Sequence, residues 1–554
     1  MSRARWRGRF GALSFSAMAV LFVGWFAAVS PLVNDSSAEE PDPEIVRFLA
    51  TAVGMDPLGF AVVPQPPTLS TFVREPTAAV MLGKALFWDM QVGSDGQACA
   101  SCHFHAFAEN RAKNQLQPGL SGGDGAFGNN PFTGFIDFPG FGPNYTLTDN
   151  HFPFHLLTDP ADTNSAVLRD TNDVVSSQGV FHADFLGSDP LQMHDTGSPI
   201  PDPVFHVSGI NTRRVEPRNT PTVINSVFNF ANFWDGRANF FFNGVNPFGP
   251  LDESSRIYVN NAGVIVQQTM RMPFASLASQ AVGPPANDFE MSFAGRSLPD
   301  VGRKLIPRQP LAFQRVHPQD SVLGLRSLAT LNPDGTVSGD PGLNTTYQSL
   351  IQTAFFPKYW DGTELIGGYT QMEANFSLFF GLAVQMYEAT LISGDSPFDE
   401  FMDGDDHALT SRQLSGLELF IGKGGCAACH LGPEFTDASV AAAAVDPAQP
   451  GFAPAMVELM LMQDQDVSIY DGPFHNNGVR PSAEDLGRGG TAPFINPLTG
   501  QPYPLSVSRL AILKAHGLLP PAVSDFVPIL DPLIPLDIRV AANGEFKTPG
   551  LRNV

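Results

Sequence analysis

The chain carries one reactive pattern twice, Cys-x-x-Cys-His, at residues 99–103 and again at residues 426–430. This spacing is the attachment signature of c-type haem: two sulfurs on a short helical turn can bond the two vinyl groups while the following imidazole binds the iron. The two copies use all 4 cysteines of the chain. The sequence therefore predicts two covalently bound haem c groups, held by Cys99, Cys102 and His103 and by Cys426, Cys429 and His430.

Two other chemistries use paired cysteines. A redox-active Cys-x-x-Cys needs no histidine after it. A four-cysteine zinc site would need the two pairs to converge although more than 300 residues separate them in the chain. Neither alternative explains why a histidine follows both pairs, so covalent haem is the preferred interpretation.

A helix is predicted directly before each cysteine pair. The segment that starts at Pro76 has apolar residues near helical spacing and a proline at its likely first position, and another helix is expected from about Ser411 to Ile421. The most regular helical pattern of the chain runs from Met372 to Leu391. One local unit, a helix followed by Cys-x-x-Cys-His, thus occurs twice.

The length of the chain indicates how many domains to expect, and its net charge indicates which kinds of partner are disfavoured. A chain of 554 residues is longer than one core usually fills, so two or more domains are expected. Its 55 acidic residues against 32 lysines and arginines give a net charge of -23, which disfavours nucleic acid and anionic lipid surfaces as partners. Two stretches rich in turn residues, at about 106–218 and 239–275, are interpreted as loop-rich insertions.

The N-terminus has the pattern of an export signal. An arginine-rich start without acids precedes an almost uncharged apolar stretch from Gly11 to Val33. We expect residues 1–38 to act as a cleaved signal peptide or as a membrane anchor, since about 20 apolar residues can also span a bilayer. The expected location is the periplasm, with the protein either soluble or tethered by this segment.

Ordered sequence blocks resemble the bacterial di-haem cytochrome c peroxidases and the related MauG-type di-haem enzymes. Besides the two haem motifs, the blocks lie at residues 82–89, 218–222, 233–238, 280–284, 290–291, 388–391 and 546–554. The resemblance implies a mainly α fold with two cytochrome c-like haem domains. The peroxidatic domain would span residues 39–394 and contain both insertions. The electron-transfer domain would span residues 395–554 and is expected to be truncated at its C-terminus.

The resemblance also implies an activity: reduction of hydrogen peroxide to water with electrons from a small cytochrome c or cupredoxin. Glu290 would be the distal acid and base, Gln280 would orient the peroxide, and Trp234 would carry electrons between the haems. Asn219 matches a residue that binds a structural calcium ion, and homodimers are usual among the relatives. Without the resemblance, Glu290 would be interpreted as a surface acid and Trp234 as a core residue.

The chain departs from the peroxidase pattern at two places. Peroxidases of the family usually keep a distal histidine in the stretch that corresponds to residues 209–217, which contains none here, and His206 is the closest substitute. The family's sixth ligand to the electron-transfer haem falls beyond Val554, while Met456, Met460 and Met462 are interpreted as packing residues. The first departure favours one alternative, a MauG-like oxidase of a protein or organic substrate. The other alternative is a non-enzymatic di-haem electron carrier.

Overall fold

The structure is a computed structural model, and it describes residues 41–103, 109, 111–162, 164–189, 191–443, 456–462, 464–478, 480–530 and 537–552. The predicted signal or anchor segment, residues 1–38, lies outside these described residues. Among the described helices, none combines the length and the apolar character needed to cross a membrane.

The described residues form short and medium-length α-helices, which we number in chain order. They are α1 (Pro43–Ala52), α2 (Pro76–Trp88), α3 (Cys99–Cys102), α4 (Ser276–Ala281), α5 (Leu298–Leu305), α6 (Tyr347–Ala354), α7 (Gln371–Ala374), α8 (Phe376–Glu388), α9 (Pro397–Met402), α10 (Ser411–Ile421), α11 (Val440–Ala443), α12 (Val507–Ala515) and α13 (Pro521–Ser524). The predicted helices at Pro76 and at Ser411–Ile421 are confirmed as α2 and α10. The long predicted helix is present as α7 and α8, which meet at Asn375.

The strands are short and pair mostly as two-stranded antiparallel ladders. The antiparallel pairs are β1 (Leu116–Gln117) with β6 (Val174–Val175), β2 (Asn129–Asn130) with β3 (Phe135–Ile136), β4 (Leu156–Leu157) with β5 (Val167–Arg169), β7 (Ala183–Ser188) with β8 (Asp195–Pro199), β9 (His206–Val207) with β10 (Ile210–Asn211), β11 (Ile257–Asn261) with β12 (Val264–Gln268), β13 (Ser327–Leu331) with β14 (Val337–Leu343), β17 (Phe474–His475) with β21 (Phe546–Lys547), and β18 (Thr491–Ile495) with β19 (Pro502–Pro504). In the one three-stranded sheet of the described residues, β16 (Val467–Tyr470) pairs antiparallel with β15 (Glu458–Leu461) and parallel with β20 (Arg539–Val540).

The prediction of a mainly α fold is wrong. Helices account for 27% of the structure and strands for 18%. The first insertion contains the hairpins β2–β3, β4–β5, β7–β8 and β9–β10, while β1 pairs with the distant β6, and its turns use its many Gly, Asn, Asp and Pro residues. Such short ladders have weak hydrophobic periodicity, which is why they look like loops in the sequence.

The main core lies around α8, which is buried along almost its whole length. Helices α2, α4 and α5 pack against it, and Phe376, Phe379 and Phe380 of α8 are fully buried. Helix α2 approaches α8 so closely that a Cβ atom added at Gly83 would lie 1.9 Å from the carbonyl oxygen of Ala383. The glycine in the family block at residues 82–89 is therefore required by the contact between these helices.

Both insertions are fixed to the rest of the fold. In the first, Asp170 accepts a hydrogen bond from Arg480 Nη1 at 2.7 Å, and the carbonyl of Thr171 accepts one from Arg480 Nη2 at 2.9 Å. In the second, Asn375 at the break between α7 and α8 holds the backbone of Tyr258. Its Oδ1 accepts from the Tyr258 N–H at 2.9 Å and its Nδ2 donates to the Tyr258 carbonyl at 2.6 Å.

Candidate active site

The first cysteine motif ends in a histidine whose ring is oriented by the backbone. Cys99 to Cys102 form α3, and His103 follows as its C-cap. The Nδ1 atom of His103 lies 2.9 Å from the carbonyl oxygen of Pro221, so Nδ1–H donates and Nε2 is left with its lone pair. Burial lowers the pKa of His103, which keeps the ring neutral as a metal ligand must be.

The second motif repeats this arrangement. His430 Nδ1 lies 3.1 Å from the carbonyl oxygen of Phe435, so Nε2 is again the nitrogen available to a metal. Phe435 itself has a φ of 55°, a left-handed backbone that a phenylalanine adopts only at a cost of about 1–3 kcal/mol. A strained backbone at this position is typical of a site whose geometry serves a function.

The cysteines fit haem better than the two alternatives. All four are free of disulfide bonds. Burial raises the pKa of the Cys99 thiol to about 12, whereas a redox-active Cys-x-x-Cys has a lowered thiol pKa. Among the described residues, the one group with metal-binding geometry is Cys429, Asp437 and His475, so the two cysteine pairs do not converge on a zinc site.

A cavity of about 820 Å³ adjoins the second motif, and we call it the His430 cavity. Its walls include Cys429 and His430, together with Arg218 and Trp234 from the middle of the chain. The first insertion contributes further wall residues, including Phe154, His155 and residues 171–175. This insertion, to which the sequence assigned no role, therefore closes one side of the space beside His430.

Trp234 is fixed at the edge of the His430 cavity. Its indole Nε1–H donates to the carbonyl of Asn219 at 2.8 Å, and its own carbonyl accepts from the N–H of Lys547 at 2.8 Å. The preceding residue, Phe233, lines a different cavity and has a φ of 61°. Two adjacent aromatic residues thus line two different cavities, and the electron-carrying role of Trp234 stays a prediction.

Glu290 lines the second cavity, which has a volume of about 850 Å³ and which we call the Glu290 cavity. Only 16% of the Glu290 side chain is exposed, and Arg237 Nη2 lies 4.0 Å from its Oε1. Burial raises the pKa of Glu290, and Arg237 opposes that rise. The pKa of Cys99 is raised mainly by burial and by the charge of Glu388, and the charge of Glu290 raises it further. Glu290 therefore lies near the first haem motif.

A second buried acid, Glu216, was not predicted from the sequence. It is only 8% exposed, and its Oε1 atom has no hydrogen-bond partner among the described residues. Burial raises the pKa of Glu216 well above its usual value, and the charge of Glu290 raises it further. One feature of the sequence could have indicated Glu216: it lies two residues before the block at 218–222. That block contains Pro221, whose carbonyl orients His103.

A third acid at the first motif is Glu388, the last residue of α8. Burial raises its pKa to about 8, and its charge raises the pKa of Cys99. The sequence placed Glu388 in a family block without a role. Three buried carboxyl groups, Glu216, Glu290 and Glu388, therefore lie near the first motif, and burial raises the pKa of each.

The other predicted residues lie as follows. Gln280 is half-buried in α4, and it is not among the residues that line the Glu290 cavity. The Nδ2 atom of Asn219 donates to the carbonyl of Val175 at 2.9 Å, and its backbone carbonyl holds Trp234. His206 is exposed on β9. Met456 is fully buried in an apolar cluster, as expected of a packing residue, whereas Met460 is 37% exposed.

Comparisons with known proteins agree with these motifs. Residues 191–332 match the family model described as di-haem cytochrome c peroxidase. The chain is 28% identical over 219 residues to the cytochrome c551 peroxidase of Pseudomonas aeruginosa, an alignment that covers 39% of this chain and 37% of that protein. It is 28% identical over 218 residues to the cytochrome c peroxidase Ccp of Escherichia coli, covering 39% of this chain and 27% of that protein.

A third relative is the methylamine utilization protein MauG of Methylorubrum extorquens. It is 36% identical over 110 residues, which are 18% of this chain and 31% of MauG. The chain thus spans about a quarter to two fifths of the length of these three relatives. The family model, the relatives and the two Cys-x-x-Cys-His motifs agree in supporting the family of di-haem cytochrome c peroxidases and MauG.

Proposed function

We propose that the chain is a di-haem peroxidase that reduces hydrogen peroxide to water with electrons from a small periplasmic redox protein, a cytochrome c or a cupredoxin. The observation that carries the proposal is the repeated histidine geometry: in each Cys-x-x-Cys-His motif, Nδ1 is held by a backbone carbonyl and Nε2 is left for iron. Peroxidase activity of named relatives supports the reaction class.

Two covalently bound haems are part of this proposal. Cys99 and Cys102 would hold the first and Cys426 and Cys429 the second, with His103 and His430 as axial ligands. When bound, the haems supply the iron that cleaves the peroxide bond and the store of electrons that reduces it. A calcium ion at Asn219, a membrane tether, a homodimer and the domain division at residues 394 and 395 remain predictions.

Glu290 would move the proton that peroxide cleavage requires. The proton must pass from the near to the far peroxide oxygen, because the departing oxygen leaves as water. A carboxyl whose pKa is raised holds and returns a proton more readily than an ordinary acid, and burial raises the pKa of Glu290. Gln280 would orient the peroxide through its amide.

Trp234 would link the two haem sites. Its indole is held by Asn219 at the wall of the His430 cavity, and Phe233 beside it lines the Glu290 cavity. A fixed aromatic ring between two sites shortens the distance that an electron must cross. This position supports the electron-carrying role that the family resemblance implies.

A MauG-like oxidase remains the second candidate because of one observation. The stretch at residues 209–217 contains no histidine, and the nearest one, His206, is exposed on a hairpin. Glu216 is the residue of this stretch that lies near the first haem motif, and its side chain carries a carboxyl group instead of an imidazole. A site without a distal histidine would react with peroxide without prior reduction.

The reaction of the fully oxidised holoprotein with hydrogen peroxide in a stopped-flow spectrometer separates the two candidates. A histidine-gated peroxidase should not react until one haem is reduced, whereas an ungated site should change its spectrum at once. Steady-state oxidation of a reduced small cytochrome c by peroxide then tests the peroxidase itself. A holoprotein that reacts with peroxide but never oxidises the cytochrome would contradict the proposed donor.

A further inference from the structure

An aromatic side chain, that of Trp88, reaches the surface at the end of α2. Trp88 is 38% exposed, although the preceding residue, Phe87, is almost fully buried. Gln314 holds the backbone at this point, since its Nε2 donates to the Trp88 carbonyl at 2.7 Å and its Oε1 accepts from the Met90 N–H at 2.8 Å. The exposed indole is therefore anchored at the surface by the backbone that carries it.

The indole of Trp88 is bonded to a buried tyrosine. Its Nε1–H donates to the hydroxyl oxygen of Tyr387 at 3.0 Å, and Tyr387 is 4% exposed. The close approach of Gly83 to Ala383 brings α2 and α8 together, and each helix ends five residues later. The bonded pair therefore joins the ends of the two helices and connects the surface with the main core.

Phe87 connects this pair with the first haem motif. The centroid of its ring lies 5.5 Å from that of Tyr387 and 5.8 Å from that of Trp88. On the other side, the same centroid lies 6.4 Å from that of His103. Aromatic rings in contact have centroids about 4.5–7 Å apart. A continuous path of ring contacts therefore runs from the proposed iron ligand to the surface.

The side chains along this path differ in how easily they lose an electron. Indole and phenol rings carry an electron-donating nitrogen or oxygen, so they are oxidised more easily than a phenyl ring. Trp88 and Tyr387 can therefore each be oxidised, whereas Phe87 shortens the gap between them and His103. Of the two oxidisable residues, Trp88 is the one that a molecule in solution can touch.

Charge and solvent both favour Trp88 as the residue that stays oxidised. Lys84 Nζ lies 5.9 Å from the centroid of the Tyr387 ring. A cation held over a ring is attracted to its electrons and makes their loss harder, although the pairing of Lys84 with Asp320 at 2.7 Å weakens this effect. Water at the exposed indole also stabilises a positive charge, which burial denies to Tyr387.

We infer that Trp88 is a surface electron-transfer residue, at which an organic one-electron donor in solution supplies electrons to the first haem site. The inference rests on the proposed peroxidase function. Each of two donor molecules gives one electron at Trp88, and the electrons pass by way of Tyr387 and Phe87. Hydrogen peroxide takes up these two electrons and two protons from water, its O–O bond breaks, and two waters form. Trp88 loses and regains one electron each time, so no bond within it forms or breaks.

Rapid freeze-quench EPR of the oxidised holoprotein, mixed with peroxide in the absence of a donor, tests whether Trp88 is oxidised. We expect a radical whose spectrum narrows when the tryptophan rings are deuterated and which is lost at least tenfold in Trp88→Phe. Trp88→Tyr differs from Trp88→Phe by one hydroxyl and restores an oxidisable ring, so it should give a tyrosyl spectrum. The matched control is Trp360→Phe, because Trp360 packs elsewhere on the main core and donates to the Phe355 carbonyl at 3.1 Å; it should keep the tryptophan radical.

A second measurement uses the dye ABTS, a bulky aromatic donor of single electrons, at an ionic strength that screens the acidic surface. Its peroxide-dependent oxidation is compared with that of reduced cytochrome c by the same sample. We expect the ratio of the two rates to fall at least tenfold in Trp88→Phe and to return to within threefold of the original in Trp88→Tyr. Trp360→Phe should keep the ratio of the unchanged protein.

The outcomes separate this inference from the proposed function. Absence of a tryptophan radical in the unchanged protein, an undiminished radical in Trp88→Phe, or an unchanged ratio of donor rates in that variant overturns the inference. The peroxidase itself stands in those cases if reduced cytochrome c is still oxidised by peroxide. If the unchanged holoprotein reduces peroxide with neither donor, the proposed function fails, and the role of Trp88 fails with it.

Discussion

Replacing Glu290 by glutamine removes the proposed proton carrier and so tests the proton transfer directly. Glutamine has nearly the same shape as glutamate, so the cavity wall and the contact region of Arg237 are kept, while the group that accepts and returns the proton is lost. General acid and base catalysis contributes about 10²–10⁴-fold to a rate. The expected loss in kcat/KM for peroxide is of that size, which corresponds to about 2.7–5.5 kcal/mol of transition-state stabilisation.

The neighbouring carboxyl gives this prediction a second, independent readout. Glu290 raises the pKa of Glu216, so the two acids titrate as a pair whose apparent pKa values belong to both. Accepting the first proton needs a carboxylate. The activity of the unchanged protein should therefore fall as the pH drops through the raised apparent pKa. In Glu290→Gln this fall in activity at low pH, the acidic limb of the pH profile, should disappear, and Glu216 should ionise at lower pH.

Stopped-flow measurement of peroxide consumption from pH 5 to 9 provides the assay. The matched control is Glu364→Gln, because Glu364 is an exposed glutamate and is not part of the site. Its rate and pH profile should equal those of the unchanged protein. If Glu290→Gln keeps more than a third of the original kcat/KM and also keeps the acidic limb, Glu290 is not the proton carrier.

Three further predictions concern the haem sites and the fold. A pyridine haemochrome assay should give two haems per chain and one in Cys99→Ala/Cys102→Ala; a ratio of two in that variant would refute covalent attachment at the first motif. Gly83→Ala should destabilise the protein by about 1–3 kcal/mol in urea unfolding, because its Cβ would meet the Ala383 carbonyl, whereas Gly416→Ala on open helix surface should stabilise it by about 0.5–1 kcal/mol. Asp399→Ala should cost about 3–5 kcal/mol, because it leaves Arg552 buried without its partner, while the exposed Asp403→Ala should change little. The pKa of Asp399 is lowered in the folded protein despite its burial, through bonds from Ser396, the Leu58 N–H and Arg552. Asp399 therefore stabilises the protein above the pKa that it has in the unfolded chain, and this stabilisation is lost as the pH falls through its pKa in the folded protein.

The parts of the fold that follow local rules could be predicted from the sequence. The helix beginning at Pro76 and the helix at Ser411–Ile421 have apolar spacing and clear start signals, and both are confirmed. The break in the long helix at Asn375 could not be predicted, because its cause is distant in the chain. Asn375 uses its side chain to bind the backbone of Tyr258 and of Tyr359.

The fold class was predicted wrongly for a related reason. The resemblance covers the helical blocks, and the insertions between them add hairpins that the family pattern does not include. Their strands are two to six residues long and partly exposed, as in β7 and β8, so they lack the regular alternation by which strands are recognised. The sequence therefore indicated the haem motifs and their helices, but not the walls of the cavities beside them.

The candidate site residues also fall into two groups, those that the sequence predicts and those that it misses. The haem ligands are predicted by spacing alone, because Cys-x-x-Cys-His has a chemical reason that does not depend on the rest of the fold. Glu216 was missed because its importance lies in burial beside Glu290, and burial is decided by tertiary packing. A lone glutamate in a loop carries no periodic signal that would separate it from a solvated acid.

One short segment connects the parts of the proposed mechanism. In residues 218–221, the Pro221 carbonyl orients His103, the Asn219 carbonyl holds Trp234, and Arg218 pairs with Asp235 and Asp485 at 2.5 and 2.7 Å. These four residues therefore orient His103, hold the indole of Trp234 and form part of the wall of the His430 cavity. A displacement of this segment would alter all three together.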